Sequence, residues 1–262
     1  MKYILFFYIL FSLSGCRQQQ HSAQETTAGD SRNDEQTITP SPVQEEEEKP
    51  SLPAKSRTAH YLDSLGFINI AEADSTIAIE LMYTRADNFT GQILYNDLHE
   101  AYLHPDAMES LIKAQQLLKE LHPGYSLIVY DAARPMSIQQ TLWDIVKGTS
   151  RYIYVSNPAH GGGLHNYGLA VDLSILDEDG TPLSMGTPVD YLGKEAHITQ
   201  EEQLVKSGKI TARERNNRLL LRQVMKKAGF RPLPSEWWHF NRCSRQTAKE
   251  KYQVIPVSYT HL

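Results

Sequence analysis

The sequence predicts an α+β domain, a central antiparallel sheet flanked by helices. Three observations predict it. Short stretches with alternating apolar residues read as half-buried strands, because side chains along a strand point to opposite faces in turn. Longer stretches place apolar residues at three- and four-residue spacing and read as helices. The two kinds follow one another without the regular strand–helix–strand period that a parallel sheet requires.

Taken in order, Ile77, Ile79, Leu81 and Tyr83 alternate as a strand does. Ala107, Leu111, Ala114, Leu118 and Leu121 form one helical face, opened by Pro105-Asp106 and closed by Pro123-Gly124. Tyr125–Tyr130 is a short apolar strand. Ser137 with Gln140 has the pattern of a capping box for a helix to about Lys147. Gly161-Gly162-Gly163 then breaks the chain. In Gly168–Ile175, Leu169, Val171, Leu173 and Ile175 share one face, and Asp172 lies on the other beside Ala170 and Ser174. Such a strand buries one face and presents a carboxylate from the other. Thr211 and Glu214 cap a helix running to Gly229, with Leu220, Val224 and Ala228 on one side, and Trp237–Phe240 is an aromatic-rich strand. Residues 58–256 read as one domain without internal repeats, long enough for a substantial core.

The flanks differ in kind. Met1-Lys2 precedes an apolar run, Tyr3–Leu13, which ends at Leu13-Ser14-Gly15-Cys16. A positive start, a short apolar core and small residues before a cut describe a secretory signal peptide over residues 1–15. The run falls short of the roughly 20 residues that a bilayer-spanning helix needs. Leu-Ser-Gly-Cys resembles the bacterial lipobox, which implies acylation at Cys16 and an exported protein tied to the membrane by lipid. Arg17 stands where an aspartate is associated with retention at the inner membrane, so the outer membrane is the expected anchor in a two-membrane cell. Residues 16–57 are rich in Gln, Ser, Thr, Glu and Pro, with the acidic run Glu45–Glu48. They bury too little apolar surface to offset their ordering entropy and read as a disordered tether.

The cysteines, Cys16 and Cys243, leave no disulfide framework if Cys16 carries lipid. The formal net charge of -5 is partly concentrated in the tether, and nothing points to a nucleic-acid partner. Residues 257–262 fit no element and read as a non-native tail.

Two motifs carry the chemistry. His165-Asn-Tyr-Gly-Leu-Ala-Val-Asp172 supplies an imidazole from a Gly-rich turn and a carboxylate from a strand; Glu236-Trp-Trp-His239 supplies a second imidazole and a second carboxylate. Singly, each has an ordinary reading: a surface histidine, a strand-end acid, a core histidine among aromatics. Together they match a catalytic zinc site, which takes three protein ligands, leaves a fourth position to water and keeps a general base nearby. Glu236 and His239 would face opposite sides of a regular strand, so a bulge at the tryptophans, or a loop position for Glu236, is needed to join them; Pro232 and Pro234 make an irregular entry reasonable. His160 is a spare ligand.

These motifs, with Asp87-Asn-Phe-Thr-Gly91, Tyr130-Asp-Ala-Ala-Arg-Pro135 and Met185-Gly-Thr-x-x-Asp190, resemble the zinc D,D-peptidases of peptidoglycan peptides, and most closely the D-alanyl-D-alanine dipeptidases of the VanX type. The resemblance spans the globular part in family order. It implies one zinc ion held by His165, Asp172 and His239, with Glu236 as catalytic base. It also implies Arg134 facing the scissile carbonyl and Asp190 receiving the substrate's amino group. Arg134 alternatively reads as a structural ion pair, and Asp190 as a cap. The family usually carries Ser two residues before the first ligand histidine, where this chain has Gly163. The implied activity is hydrolysis of a small D,D-dipeptide. The alternatives are a D,D-carboxypeptidase acting on longer wall peptides and a zinc-containing lipoprotein that binds such peptides without cutting them.

Overall fold

The computed structural model describes residues 55–256. The signal segment, Cys16, most of the tether and the terminal residues 257–262 lie outside the described residues. In chain order the elements are α1 (Arg57–Ser64), β1 (Ile68–Asn69), α2 (Ile70–Ala73), β2 (Ala78–Ile79), β3 (Tyr102–Leu103), α3 (Pro105–Leu121), β4 (Ser126–Asp131), α4 (Met136–Val146), β5 (Ala170–Leu176), α5 (Glu201–Lys206), α6 (Ala212–Lys227), β6 (Arg231–Leu233), β7 (Glu236–Asn241) and α7 (Arg245–Lys251). Short 3-10 turns punctuate the connections, among them Met82–Thr84 and Leu164–Tyr167.

The central sheet has the order β2-β4-β5-β7-β6, and β1 pairs with β3 apart from it. Its β4-β5, β5-β7 and β6-β7 pairs are antiparallel, as the sequence predicts. The β2-β4 edge pair is parallel, so the sheet is mixed. A chain that runs from β2 through α3 to β4 makes a helical crossover, and a crossover returns a strand in the same direction.

The predicted strand over 77–83 is cut short. Ala78 and Ile79 pair with Ile128 and Val129, after which the chain turns through Met82–Thr84. The turn is fixed from outside, since the carbonyl of Tyr83 accepts the N–H groups of both Leu94 and Tyr95. Leu81, Met82 and Tyr83 are consequently all buried, which breaks the alternation.

Two long helices pack on each other and on the sheet, α3 against β4 and α6 against β6 and β7. On α3 the buried face holds Ala107, Leu111, Ala114 and Leu118, but Leu121 in the last turn is exposed. On α6 it holds Leu221, Val224 and Met225 together with Arg218, while Leu220 is only half-buried. The predicted capping box of α6 is present: Thr211 Oγ1 accepts from the Glu214 N–H at 3.1 Å, and Glu214 Oε2 accepts from the Thr211 N–H at 2.6 Å. The box predicted at Ser137 and Gln140 is not. Pro135 occupies the N-cap of α4, and the first free donor, the Met136 N–H, bonds to the Ile255 carbonyl at 2.9 Å. The ring of Pro135 presets the φ that helix entry needs, which moves the start two residues upstream of the expected cap. In β5, Ala170–Ile175 are buried on both faces. The face carrying Asp172 therefore looks into an enclosed cleft.

Candidate metal and catalytic centre

Strand register assembles the first part of the site. Asp172 on β5 lies directly opposite His239 on β7 and, past a bulge at Tyr130, opposite Asp131 on β4. His165 joins them from the turn Leu164–Tyr167, which ends at Gly168 in the left-handed region, φ 62°. A Cβ at Gly168 would come within 2.3 Å of the Phe67 ring and 2.9 Å of the His104 backbone nitrogen. Only glycine satisfies both the conformation and the close approach, so the spacing from His165 to β5 is fixed by a backbone contact.

His165 Nε2 lies 3.1 Å from Asp172 Oδ2, His239 Nδ1 lies 2.9 Å from Asp172 Oδ1, and the two ring nitrogens are 3.2 Å apart. The outward nitrogens are spoken for: His165 Nδ1 meets the Ala132 carbonyl at 2.7 Å, and His239 Nε2 meets Asn241 Oδ1 at 3.0 Å. With these outward acceptors each ring can donate a proton outward, and the neutral ring then turns a lone pair inward, the form a metal binds. In that neutral form two lone pairs and a carboxylate converge, an arrangement that repels itself unless a cation, a proton or a metal ion, is shared. Ligands about 2.0–2.2 Å from a tetrahedral zinc ion lie roughly 3.3 Å from one another, and here one donor atom from each of the three residues lies within 4.8 Å of the others. These three residues form the metal-capable His/Asp cluster among the described residues. His160 stays outside it, exposed, with its carbonyl accepting from Arg245.

The β6-β7 ladder brings up the second carboxylate. Pro232 pairs with Phe240 and Leu233 with Glu236, so β6 advances one residue while β7 runs from Phe240 back to Glu236. This is the bulge at the tryptophans that the sequence requires, and it places Glu236 Oε2 3.9 Å from His239 Nδ1. Trp237 anchors it by donating Nε1–H to Thr187 Oγ1 at 2.8 Å.

Arg134 stands at the cavity wall. Its Nε and Nη2 both donate to Asp131 Oδ2, its Nη1 donates to Gln139 Oε1 at 3.0 Å, and its guanidinium lies over the Tyr83 ring, 5.3 Å from the centroid. Nη2 also comes within 3.8 Å of Asp172 Oδ2. Asp190 lies across the cavity in a left-handed conformation, φ 66°, with Oδ2 accepting from the Tyr83 hydroxyl at 2.9 Å.

The electrostatics agree with the donor set. Burial pushes Glu236 up to about 8, the His239 ring opposes it, and the Asp172 carboxylate adds to it. Burial likewise pushes Asp190 up to about 7, helped by the charge on Asp172. Burial pushes Asp172 the same way, but His165 and His239 overcome it and hold this acid well below the usual carboxylate range. Asp131, Asp172, Asp190 and Glu236 face a single guanidinium already paired with Asp131. A divalent cation at the triad fits this charge balance as well as the geometry.

Four further participants are not singled out by the sequence motifs. Asp131 fixes Arg134 and accepts from the Tyr95 hydroxyl at 2.6 Å, Gln139 holds both Arg134 and the Ser156 carbonyl, Tyr83 bridges Arg134 and Asp190, and Asn241 orients His239. Asp131 sits inside the Tyr130–Pro135 segment, which is its only local signal. The Asp87–Gly91 segment is a turn organised by Asn88, whose Oδ1 accepts from the Thr90 N–H at 2.9 Å; its Phe89 reaches the cavity. A Cβ at Gly163 would lie 3.0 Å from Ser156 Oγ, so Ser156 crowds the place where a serine side chain would begin. The cavity over the triad measures about 370 Å³ and is walled by Tyr83, Arg134, Ser156, Asp190, Leu192 and Glu236 among others.

A family profile described as D-ala-D-ala dipeptidase matches residues 63–258. The chain belongs to this family. Among curated relatives, the D-alanyl-D-alanine dipeptidase of Escherichia coli (strain K12) is 32% identical over 178 residues, covering 68% of this chain and 85% of that protein. The D-alanyl-D-alanine dipeptidase of Synechocystis is 27% identical over 183 residues, 59% of this chain and 74% of the relative. That of Enterococcus faecium is 25% identical over 199 residues, 67% of this chain and 91% of the relative. The family match spans β4, β5 and β7, the strands that supply or support Asp131, Asp172, Glu236 and His239.

Proposed function

We propose that the protein is a zinc-dependent dipeptidase that hydrolyses D-alanyl-D-alanine to D-alanine in peptidoglycan metabolism. The observation that carries this reading is the convergence of His165, Asp172 and His239 with Glu236 beside them, in a chain of the D-Ala-D-Ala dipeptidase family. His165 Nε2, one Asp172 oxygen and His239 Nδ1 would hold the metal. When bound, zinc polarises the scissile carbonyl as a Lewis acid and makes water acidic enough to attack near neutral pH.

The chain's own residues do the rest. Glu236 takes a proton from the attacking water and passes it to the leaving amine as the C–N bond breaks, which yields two molecules of D-alanine. Its high proton affinity in the buried site suits the second half of that task, and a nearby cation favours the ionised form needed for the first. Arg134 directs its guanidinium towards the oxyanion that develops on the carbonyl, held in place by Asp131 and Gln139. Asp190 receives the substrate ammonium, its carboxylate steadied by Tyr83. Export and lipid attachment at Cys16 complete the proposal, placing the enzyme where it meets released wall fragments.

The test is D-alanine release from D-Ala-D-Ala beside N-acetyl-D-Ala-D-Ala, with and without a zinc chelator. Cleavage of the free dipeptide alone, lost on chelation, is the expected result. Cleavage of the acetylated compound identifies a carboxypeptidase, and no cleavage of either by zinc-loaded protein identifies a binding protein. Radiolabelled palmitate on the wild-type chain but not on Cys16→Ala tests the anchor.

A further inference from the structure

Asp190 lines two cavities. One is the catalytic cavity; the other measures about 790 Å³, lies within the range of small-ligand sites (about 300–1,000 Å³), and also holds Arg85, Tyr130, Arg151 and Val189. Phe89, Asp190 and Leu192 are the residues common to both. These three residues face both cavities and mark the boundary between them.

The partition is built at a conformational cost. Asp190 is the one non-glycine residue with positive φ among the described residues, a region that glycine enters freely and aspartate less readily. The Tyr83 hydroxyl holds its carboxylate, and its neighbours in the loop are tied down at both ends. Arg218, fully buried in α6, donates Nε–H to the Met185 carbonyl at 2.6 Å and Nη1–H to the Glu195 carbonyl at 3.0 Å. A wall held this way keeps its place when a ligand presses on it.

From this geometry we propose that the second cavity is a closed-off extension subsite, shaped for residues preceding D-Ala-D-Ala in a longer peptide, and that the Phe89–Asp190–Leu192 partition confines the enzyme to dipeptides. The inference rests on the proposed placement of the substrate ammonium at Asp190. An acyl or aminoacyl group on that nitrogen points at the partition, and the space it needs lies behind it. Discrimination against longer substrates is then steric at the wall as well as electrostatic at the carboxylate, and the two contributions separate by mutation.

Asp190→Gly removes the wall side chain and suits the backbone conformation, whereas Asp190→Asn removes the charge and keeps the wall. Zinc-loaded wild-type, Asp190→Gly and Asp190→Asn proteins are assayed on D-Ala-D-Ala and on L-Ala-D-Ala-D-Ala. Asp190→Gly is expected to lose dipeptide turnover and to raise the absolute kcat/KM for the tripeptide at least about tenfold. Asp190→Asn is expected to lose dipeptide turnover without that gain. A folded, zinc-binding Asp190→Gly protein with no rise on the tripeptide overturns the proposal, as does an equal rise in Asp190→Asn. If Asp190→Gly does not fold, the Phe89→Ala/Leu192→Ala double variant opens the same partition with Asp190 intact, and absence of a tripeptide gain there overturns it equally. Failure of the wild-type protein on the free dipeptide instead strikes the proposed function, since the partition is read only from the change in tripeptide rate.

Discussion

The two sides of the catalytic cavity are built by different means. On one side, Asp172 and His239 are cross-strand neighbours in the middle of a five-stranded sheet, and Asp131 lies in the same row. Their backbone positions follow from hydrogen-bond register, so none of these residues can slide along its strand without breaking a ladder. On the other side, Asp190 rides on an irregular loop that owes its shape to a few contacts from elsewhere: Tyr83, the Trp237–Thr187 bond and the guanidinium of Arg218. The difference separates the two tasks of the site. Two of the three proposed metal ligands sit on regular structure, with His165 held beside them by a tight turn, whereas Asp190, the proposed reader of the substrate, sits on a loop that can change without disturbing the sheet.

Substitutions on the sheet side should therefore be all-or-none, and those on the loop side graded. The largest effect is expected from Asp172→Ala, which should lose bound zinc by elemental analysis and fall to background activity; full metal content in this variant would remove Asp172 from the ligand set. Next comes Glu236→Ala, which should keep its zinc and lose turnover by about 10²–10⁴-fold, as removal of a general base does. Retained activity in the metal-loaded variant would assign the proton transfer elsewhere.

Arg134→Ala should lower kcat by about 10²–10³-fold with a smaller change in KM. It also leaves the fully buried Asp131 without its ion partner, so a loss of about 3–5 kcal/mol in unfolding free energy is expected alongside. A variant as stable as wild type and altered only in KM would make Arg134 a substrate-binding residue outside the catalytic step.

On the loop side, Arg218→Met keeps the packing against Trp237 but frees the carbonyls of Met185 and Glu195. Its KM for D-Ala-D-Ala should rise about tenfold with zinc content unchanged, since loosening a positioning loop weakens orientation before it affects the metal. Zinc loss in this variant would show that the two sides are coupled. The smallest effect is on pH. Burial and the Asp172 charge raise the proton affinity of Asp190, so it is neutral in acid and gains the charge that an ammonium needs as pH rises. The acid limb of kcat/KM should accordingly climb with pH as Asp190 and the base Glu236, both raised by burial, become ionised, and Asp190→Asn should remove the Asp190 part of that limb. A flat profile for kcat/KM across that limb, with kcat also constant, would take the ammonium away from Asp190.

The convergence of His165, Asp172 and His239 was legible because these residues come in short motifs with local causes. Gly168 next to His165 marks a tight turn, and Asp172 follows at the spacing of a strand with one buried face. The bulge joining Glu236 to His239 was legible as a need, from two residues three apart that face opposite ways in a regular strand. The partnership of Arg134 with Asp131 was open, because a guanidinium near a turn looks the same whether it serves a fold or a reaction. The structure shows the ion pair with Asp131 at the wall of the cavity, which no spacing expresses. The expected cap at Ser137 failed for a local reason with a distant component: Pro135 starts the helix early, and the freed donor is met by Ile255 from the far end of the domain.

By itself the sequence determined the kinds of element, the family and the inventory of ligands and acids, because these depend on periodicity, turn chemistry and residue type within a few positions. Only the tertiary structure decided which acids share a row across the sheet, that Tyr83 connects Arg134 to Asp190, and that Asp190 divides two cavities. Those facts join residues up to 107 positions apart along the chain. Their energies arise where side chains meet after folding, and a linear pattern carries no record of that meeting.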